Sequence, residues 1–449
     1  MSLAIAPESA LISQSKRLLA DAYVGQDKYR PAEKTAHEAL AVAEKIGERA
    51  EIAACCRVLA QVEQHKNNKD KAKEWYKKAV DIFSQISSRY ELAVTRYQAA
   101  MSGFYSEGER SAMLFMAAEY FESEEIRHYT AKVKPALGQA SKALFRAPPK
   151  GAKAPVFIAV HPLSKKLIST AGHVARSSMT VFLTGPTGSG KDQLARYIHY
   201  ISGRQGEFVT VNCAAIPDSM VESELFGHRK GAFTGAGQDR KGLFMQADGG
   251  TLYLNEIADT RPELQAKLLE VIETKTVRRL GENKVNSADV RIIAATNHDL
   301  EQLMDKNRFR ADLYHRLNEI PITLPPLDAR KDDIPALVKH FFEAEGHELG
   351  GAEASLVEQL GRILSMQSWP GNVRQLRSEV NRLRLAAARD IHKAIALAFK
   401  RDCQSDREQL VAALRFTQWN RRMAARLLGV SEGTIRARIK KFGISRGRD

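Results

Sequence analysis

Thr180-Val-Phe-Leu-Thr-Gly-Pro-Thr-Gly-Ser-Gly-Lys-Asp192 is a short apolar run that empties into a loop of three glycines and a lysine. Thr180–Thr184 read as a strand, and Gln193–Ile201 carry the apolar spacing of a helix. Between them lie Gly185, Pro186, Thr187, Gly188, Ser189, Gly190, Lys191 and Asp192. The glycines let main-chain N–H groups turn inward around phosphate oxygens, and the helix N-terminus adds its dipole. Lys191 is placed to reach the β- and γ-phosphates. This Walker A order of strand, loop and helix predicts nucleoside triphosphate binding. Asp192 stands where most such loops place Ser or Thr for magnesium.

Working outward, apolar strand-like runs at Phe208–Asn212, Thr251–Leu254 and Val290–Ala295 alternate with amphipathic helices, which implies a parallel sheet flanked by helices. The run Gly249-Gly-Thr-Leu-Tyr-Leu-Asn-Glu-Ile257 ends in Asn255-Glu256, where a P-loop enzyme keeps the residues for its metal and attacking water. Glu256 is placed to polarise water. Asn255 offers magnesium a carbonyl oxygen but no negative charge. After about Leu327 the strand-like runs stop, and helical patterns continue to about residue 400.

Before the sheet, the sequence repeats itself. Ala32, Ala72 and Ala112 recur at forty-residue intervals, as do Ala39 and Ala79, and in a second register Ala20, Ala60 and Ala100. Each unit carries two helical patterns, such as Ala53–Gln64 and Lys71–Ile86, joined by a polar turn. This reads as stacked helical hairpins resembling the tetratricopeptide class in a long-helix form, with a non-repeating bundle as the alternative. Either is a scaffold offering a groove to a protein or peptide. The segment Ala147–Pro155, rich in Pro, Gly and Lys, reads as a linker.

The last segment, Gln409–Ile444, reads as helix, helix, turn, helix. Gly429 supplies the tight turn, and Ser431 caps a helix over Glu432–Phe442. That helix carries Thr434, Arg436, Arg438, Lys440 and Lys441. Residues 401–449 hold 12 Lys/Arg against 5 Asp/Glu, so +7 of the net +15 sits there. Such a concentration in a small terminal domain points to nucleic acid. Elsewhere composition narrows the classes. A chain of 449 residues is expected to form roughly two to four domains. No apolar run approaches the roughly 20 residues needed to cross a bilayer, and the N-terminus lacks a signal-peptide pattern. Cys55, Cys56, Cys213 and Cys403 have neither metal nor disulfide spacing. A reduced cytoplasmic protein is expected.

Gly231-Ala-Phe-Thr-Gly-Ala236, after Glu222-Ser-Glu-Leu-Phe-Gly-His228, resembles the loop of the AAA+ activators of sigma-54 RNA polymerase, the bacterial enhancer-binding proteins. An exposed Phe233 between glycines needs a reason. The resemblance implies that Gly231, Ala232, Phe233, Thr234, Gly235 and Ala236 touch sigma-54. It casts Asn212 as the asparagine that holds the catalytic Glu256, and Asn297 as sensor I. Phe309–Arg316 resembles the segment lending Arg310 and Arg316 as arginine fingers to a neighbouring subunit. Trp369–Leu376 resembles the sensor II segment, with Arg374 facing the nucleotide. Gln409–Ile444 is similar to the Fis-type helix-turn-helix. There Arg421, Arg422, Ser431, Thr434, Arg436, Arg438, Lys440 and Lys441 face DNA.

The expected protein is therefore multidomain. An all-α repeat domain (10–145) precedes an α/β P-loop AAA+ domain (156–327) and its helical lid (328–398). A small all-α helix-turn-helix domain (405–449) follows. Its expected work is to bind upstream double-stranded DNA as dimers, assemble a hexamer-type ring, and use ATP and Mg²⁺ to remodel the sigma-54 holoenzyme. Two alternatives stay open. Asn255 and Asp192 fit an ATP-binding, DNA-bound switch with little or no hydrolysis, and the repeats fit an adaptor for some other remodelled target.

Overall fold

The fold is that of a computed structural model, described for residues 6–144, 155–216, 220–232, 237–343, 351–387, 394–395, 397–398 and 406–445. Its contacts gather into two compact units. One comprises residues 1–154, 170–182 and 195–321, and the other residues 155–169, 183–194 and 322–449.

The first unit opens with seven helices: Ala6–Gly25, Tyr29–Ile46, Arg49–His65, Lys69–Gln85, Arg89–Met101, Glu107–Ser123 and Arg127–Leu144. The recurring alanines are their contact points, since Ala20, Ala32, Ala39, Ala60, Ala72, Ala79, Ala100 and Ala112 are all at most 1% exposed. A methyl group at each crossing lets long helices approach closely, and larger side chains would push them apart. The turns share one device. Asp27, Gly47, Asn67 and Ser87 all take positive φ, closing successive helices at twenty-residue intervals. Gly, Asn and Asp enter that region at low cost, whereas Ser87 does so against its preference. Ser106 and Glu109 start the sixth helix with a reciprocal capping box.

The same unit holds most of a five-stranded sheet. Across it run Phe208–Asn212, Thr251–Asn255, Arg291–Thr296, Val181–Thr184 and Ile320–Thr323, in that order. Thr251–Asn255 pairs in parallel with both neighbours, its Asn255 level with Asn212 on one side and Ala295 on the other. Leu252, Leu254, Ile257, Leu268 and Ala294 pack the core over one face. The fifth strand, Ile320–Thr323, was not expected. Its four residues alternate buried Ile with exposed Pro and Thr, and Pro321 suits an edge position. Two short hairpins, Gly227–His228 with Arg240–Lys241 and Thr276–Arg278 with Val285–Ser287, were also unexpected.

The second unit is mainly helical. Ile334–Glu343, Gly351–Ser365 and Asn372–Ala387 enclose Leu337, Leu360, Trp369, Leu376 and Val380. The fully buried Asp333 accepts the N–H groups of Val160 and His161 at 2.7 and 2.8 Å, and also the hydroxyl of Ser164. It thereby fixes the start of the α/β segment. The helices Asp406–Phe416, Arg421–Leu428 and Glu432–Phe442 close around Leu410, Leu414, Leu428 and Ile435.

Candidate nucleotide site and DNA-binding elements

The glycine loop adopts the backbone that only glycine takes freely. Gly185, Gly188 and Gly190 have φ of 142°, 76° and 106°. A Cβ at Gly188 would sit 2.6 Å from the carbonyl oxygen of Gly371. Lys191 is buried, and its Nζ donates to Gly185 O at 2.9 Å. The Ser189 hydroxyl is sealed from solvent with no hydrogen-bond partner in the described structure. An inward-turned loop with an orphaned buried hydroxyl and a lysine fits a polyphosphate. Asp192 lies in the first turn of the helix Lys191–Ser202 and is exposed.

The segment Trp369–Leu376 is fastened to this loop. Asn372, at φ 53° and 2% exposed, donates from Nδ2 to Thr187 O at 3.0 Å and accepts the Leu327 N–H at 2.7 Å. Val373 N–H donates to Gly188 O at 2.9 Å, and Arg330 donates to Ser189 O. Arg374 is exposed, its Cβ about one contact distance from where a Gly188 side chain would begin. These bonds join the start of the helix Asn372–Ala387 to the phosphate loop. Asn372 and Arg330 carried no assignment from sequence. Only the tolerance of Asn for positive φ hints at the first.

In the other unit, Glu256 follows its strand in the left-handed region, at φ 52° and ψ 50°. Its Oε2 accepts the main-chain N–H of Asn297 at 3.2 Å. Asn212 and Asn255 end neighbouring strands. The Asn212 amide oxygen accepts from Ala214 N–H at 3.2 Å, and Asn255 Oδ1 accepts from the Tyr253 hydroxyl at 3.2 Å. The glutamate is thus held by the Asn297 backbone, with the Asn212 side chain turned to its own loop. Arg310 is exposed and forks onto Asp312 at 2.7 and 3.0 Å. Arg316 is half-buried and pairs with Glu319 at 2.8 Å. Of the expected sigma-54 loop, Gly231 and Ala232 sit on a stem where Lys230 N–H bonds Asp239 at 2.7 Å. Phe233, Thr234, Gly235 and Ala236 lie outside the described residues.

The C-terminal helices carry their caps. Asn420 accepts from Met423 N–H at 3.1 Å, Gly429 closes the helix at φ 65°, and Ser431 accepts from Thr434 N–H at 3.1 Å. Ile435 faces inward. Arg436, Lys440 and Lys441 are exposed, as are Arg421 and Arg422. Arg438 turns toward Asp406 at 3.8 Å.

Burial disfavours the thiolate at the three cysteines within the described residues, and Cys403 lies outside them. Burial pushes Cys55 up to about 12, Cys56 to about 11 and Cys213 to about 12.

Fold and site together define a P-loop AAA+ module with a helical lid, joined to helical repeats and a helix-turn-helix. Residues 157–323 match the family described as Sigma-54 interaction domain, and 328–411 the AAA+ ATPase lid domain. Residues 10–85 match the tetratricopeptide repeat, and 404–442 the bacterial regulatory protein, Fis family. The transcriptional regulatory protein ZraR of Escherichia coli (strain K12) is 41% identical over 296 residues, covering 62% of this chain and 67% of that one. The Nif-specific regulatory protein of Azotobacter vinelandii is 40% identical over 303 residues, covering 63% and 58%. A solved structure of NtrX from Brucella abortus in complex with ATP is 28% identical, with a TM-score of 0.46 over 70% of this chain and 75% of that one. The chain belongs to the sigma-54-dependent transcriptional activators, the bacterial enhancer-binding proteins.

Among the described residues no helix is long and apolar enough to cross a membrane.

Proposed function

We propose that this activator hydrolyses ATP between subunits of a hexamer-type ring, and that it uses the cycle to drive the Phe233 loop against sigma-54 holoenzyme in the cytoplasm. The observation that carries the reading is Glu256. Its carboxylate is held in strained backbone at a strand end, on the main-chain N–H of the sensor I residue Asn297. Backbone of this kind is enriched at functional sites. Gly185–Lys191 hold the phosphates, Asp192 and Asn255 stand on the magnesium side, and Arg374 faces the nucleotide from the lid. Glu256 orients and deprotonates the attacking water, with Asn212 as its alternative partner when the γ-phosphate is sensed. Arg310 and Arg316 stabilise charge on the phosphoryl group in the neighbouring subunit's site. Bound Mg²⁺ would neutralise charge on the phosphate oxygens.

Dimers hold upstream DNA through Ser431, Thr434, Arg436, Arg438, Lys440 and Lys441, with Arg421 and Arg422 on the backbone. The working domains are 10–145, 156–327, 328–398 and 405–449. The repeats are the regulatory input, for a protein or peptide ligand.

Asn255 supports a second reading, a switch that binds ATP without turnover, because a carboxylate is missing beside the metal. Steady-state ATPase of the purified chain beside its Asn255→Asp variant separates the two. A wild type that binds ATP and never turns it over sinks the first. Retention of sigma-54 with an ATP transition-state mimic, lost in Phe233→Ala, tests the partner.

A further inference from the structure

A cavity of about 430 Å³ opens between the repeat helices Lys69–Gln85 and Arg89–Met101 and the helices Pro262–Thr274 and Ala311–Leu317. Val80, Met113, Phe244 and Val271 give it an apolar side, and Arg96 is one of several cations that line it together with carboxylates such as Asp81 and Glu273. One Arg96 N–H reaches Glu319 O at 3.1 Å, while its Nε is sealed from solvent with no acceptor among the described residues. The Glu319 carboxylate is spent elsewhere, accepting Thr180 N–H at 2.6 Å and Arg316 at 2.8 Å. Burial lowers Arg96 to about 10, as expected of a cation with too little compensation. The volume suits a small molecule. We propose that this cavity takes a small amphipathic organic anion, its charged head on Arg96 and its apolar body against Val80, Phe244 and Val271. The inference goes beyond the reading of the repeats as the input for a protein or peptide, and Arg316 lines the same wall.

The test uses the full chain with octanoate, octyl phosphate and the neutral octanamide, read by thermal melting and calorimetric titration. One or both anions should raise the melting temperature saturably, and octanamide should not. The two anions separate a carboxylate from a phosphate head. Folded Arg96→Gln should bind at least about tenfold more weakly, and Val80→Phe, which narrows the apolar side and keeps Arg96, should weaken binding too. The proposal is overturned if neither anion binds, if octanamide binds equally, or if folded Arg96→Gln binds as the wild type does. Binding is read without turnover, so failure of the ATPase reading leaves this result distinct.

A separate observation concerns Gln265, fully buried on the helix Pro262–Thr274. Its Nε2 donates to Thr260 O at 2.9 Å and Arg308 O at 3.0 Å, and its Oε1 accepts Arg310 N–H at 2.8 Å. One side chain thus ties the segment after Glu256 to the backbone of the arginine-finger residue. We infer that Gln265 is a positioning residue, setting the Arg310 finger that one subunit offers its neighbour. This rests on the ring ATPase reading. Gln265→Leu should lower kcat about tenfold to a hundredfold with KM for ATP unchanged. Gln265→Glu, which keeps the acceptor for Arg310 N–H, should lose less.

Mixed rings separate finger from fold. Gln265→Leu mixed with Glu256→Gln should regain turnover, because intact sites face intact fingers, and mixed with Arg310→Ala it should not. Rescue by Arg310→Ala, or no rescue by Glu256→Gln, overturns the assignment. A silent wild type would instead refute the ATPase reading.

Discussion

Glu256 accepts the main-chain N–H of Asn297 at 3.2 Å while its own backbone sits at φ 52°. The bond joins the ends of two adjacent parallel strands. The acidic residue is therefore aimed by backbone geometry rather than by a neighbouring side chain. Glu256→Gln keeps the shape and removes the carboxylate proposed as the base. We expect it to bind ATP normally and to lose about 10²–10⁴ in kcat, with an unchanged melting temperature. Single-turnover kinetics with labelled ATP provide the check, and a loss below tenfold would assign the base elsewhere.

The clasp of Asn372 predicts a stability cost. Asn372→Ala leaves the Leu327 N–H and Thr187 carbonyl without partners and keeps a Cβ in left-handed backbone. Each lost buried partner costs about 1–3 kcal/mol. Asn372→Gly loses the same bonds but relieves the backbone, worth about 1 kcal/mol. Urea unfolding should rank wild type above Gly and Gly above Ala, and both variants should bind ATP more weakly.

Arg310 predicts the opposite pattern. It is exposed and pairs with Asp312, an interaction that solvent largely screens. Arg310→Ala should leave unfolding midpoints unchanged while turnover falls by about 10³-fold or more. A fall in stability matching the fall in rate would mean a structural role.

DNA binding divides by residue. Arg436→Ala and Lys440→Ala remove exposed charge from the last helix and should each weaken binding, reducing the salt slope by about 1 where they meet phosphate. Ser431→Ala removes the cap on Thr434 N–H and should cost about 1 kcal/mol of domain stability. Fluorescence anisotropy across a salt series reads both.

His199 gives a pH signature. Burial, then Arg204 and Arg291, lower its pKa below the ordinary 6.5. A folded pKa below the unfolded one means the unfolded chain binds the proton first. Stability is thus full above about 6.5 and is lost as pH falls through the folded value. His199→Gln should flatten that part of the stability curve. An unchanged slope between wild type and variant would put the effect on His173 or His315, whose pKa values burial also lowers.

The sequence by itself determined the local structure and the chemistry types. Glycine at 185, 188 and 190 with Lys191 needs one backbone shape and binds one kind of ligand, and alanine at forty-residue intervals permits only close-packed helices. Caps such as Ser431 act within four residues, so they too were legible. Only the tertiary structure decided which groups meet. Asn372 reaches Thr187 across 185 residues and Gln265 reaches Arg310 across 45. Nothing in an isolated Asn or Gln marks such a partner. The edge strand Ile320–Thr323 and the hairpin stem below Gly231 are likewise too short for periodicity to register, and they form because neighbouring strands supply their hydrogen bonds. Asn212 shows the same division. Its place beside Asn255 follows from strand register, but where its amide points depends on a local competition with Ala214 N–H that no residue pattern encodes.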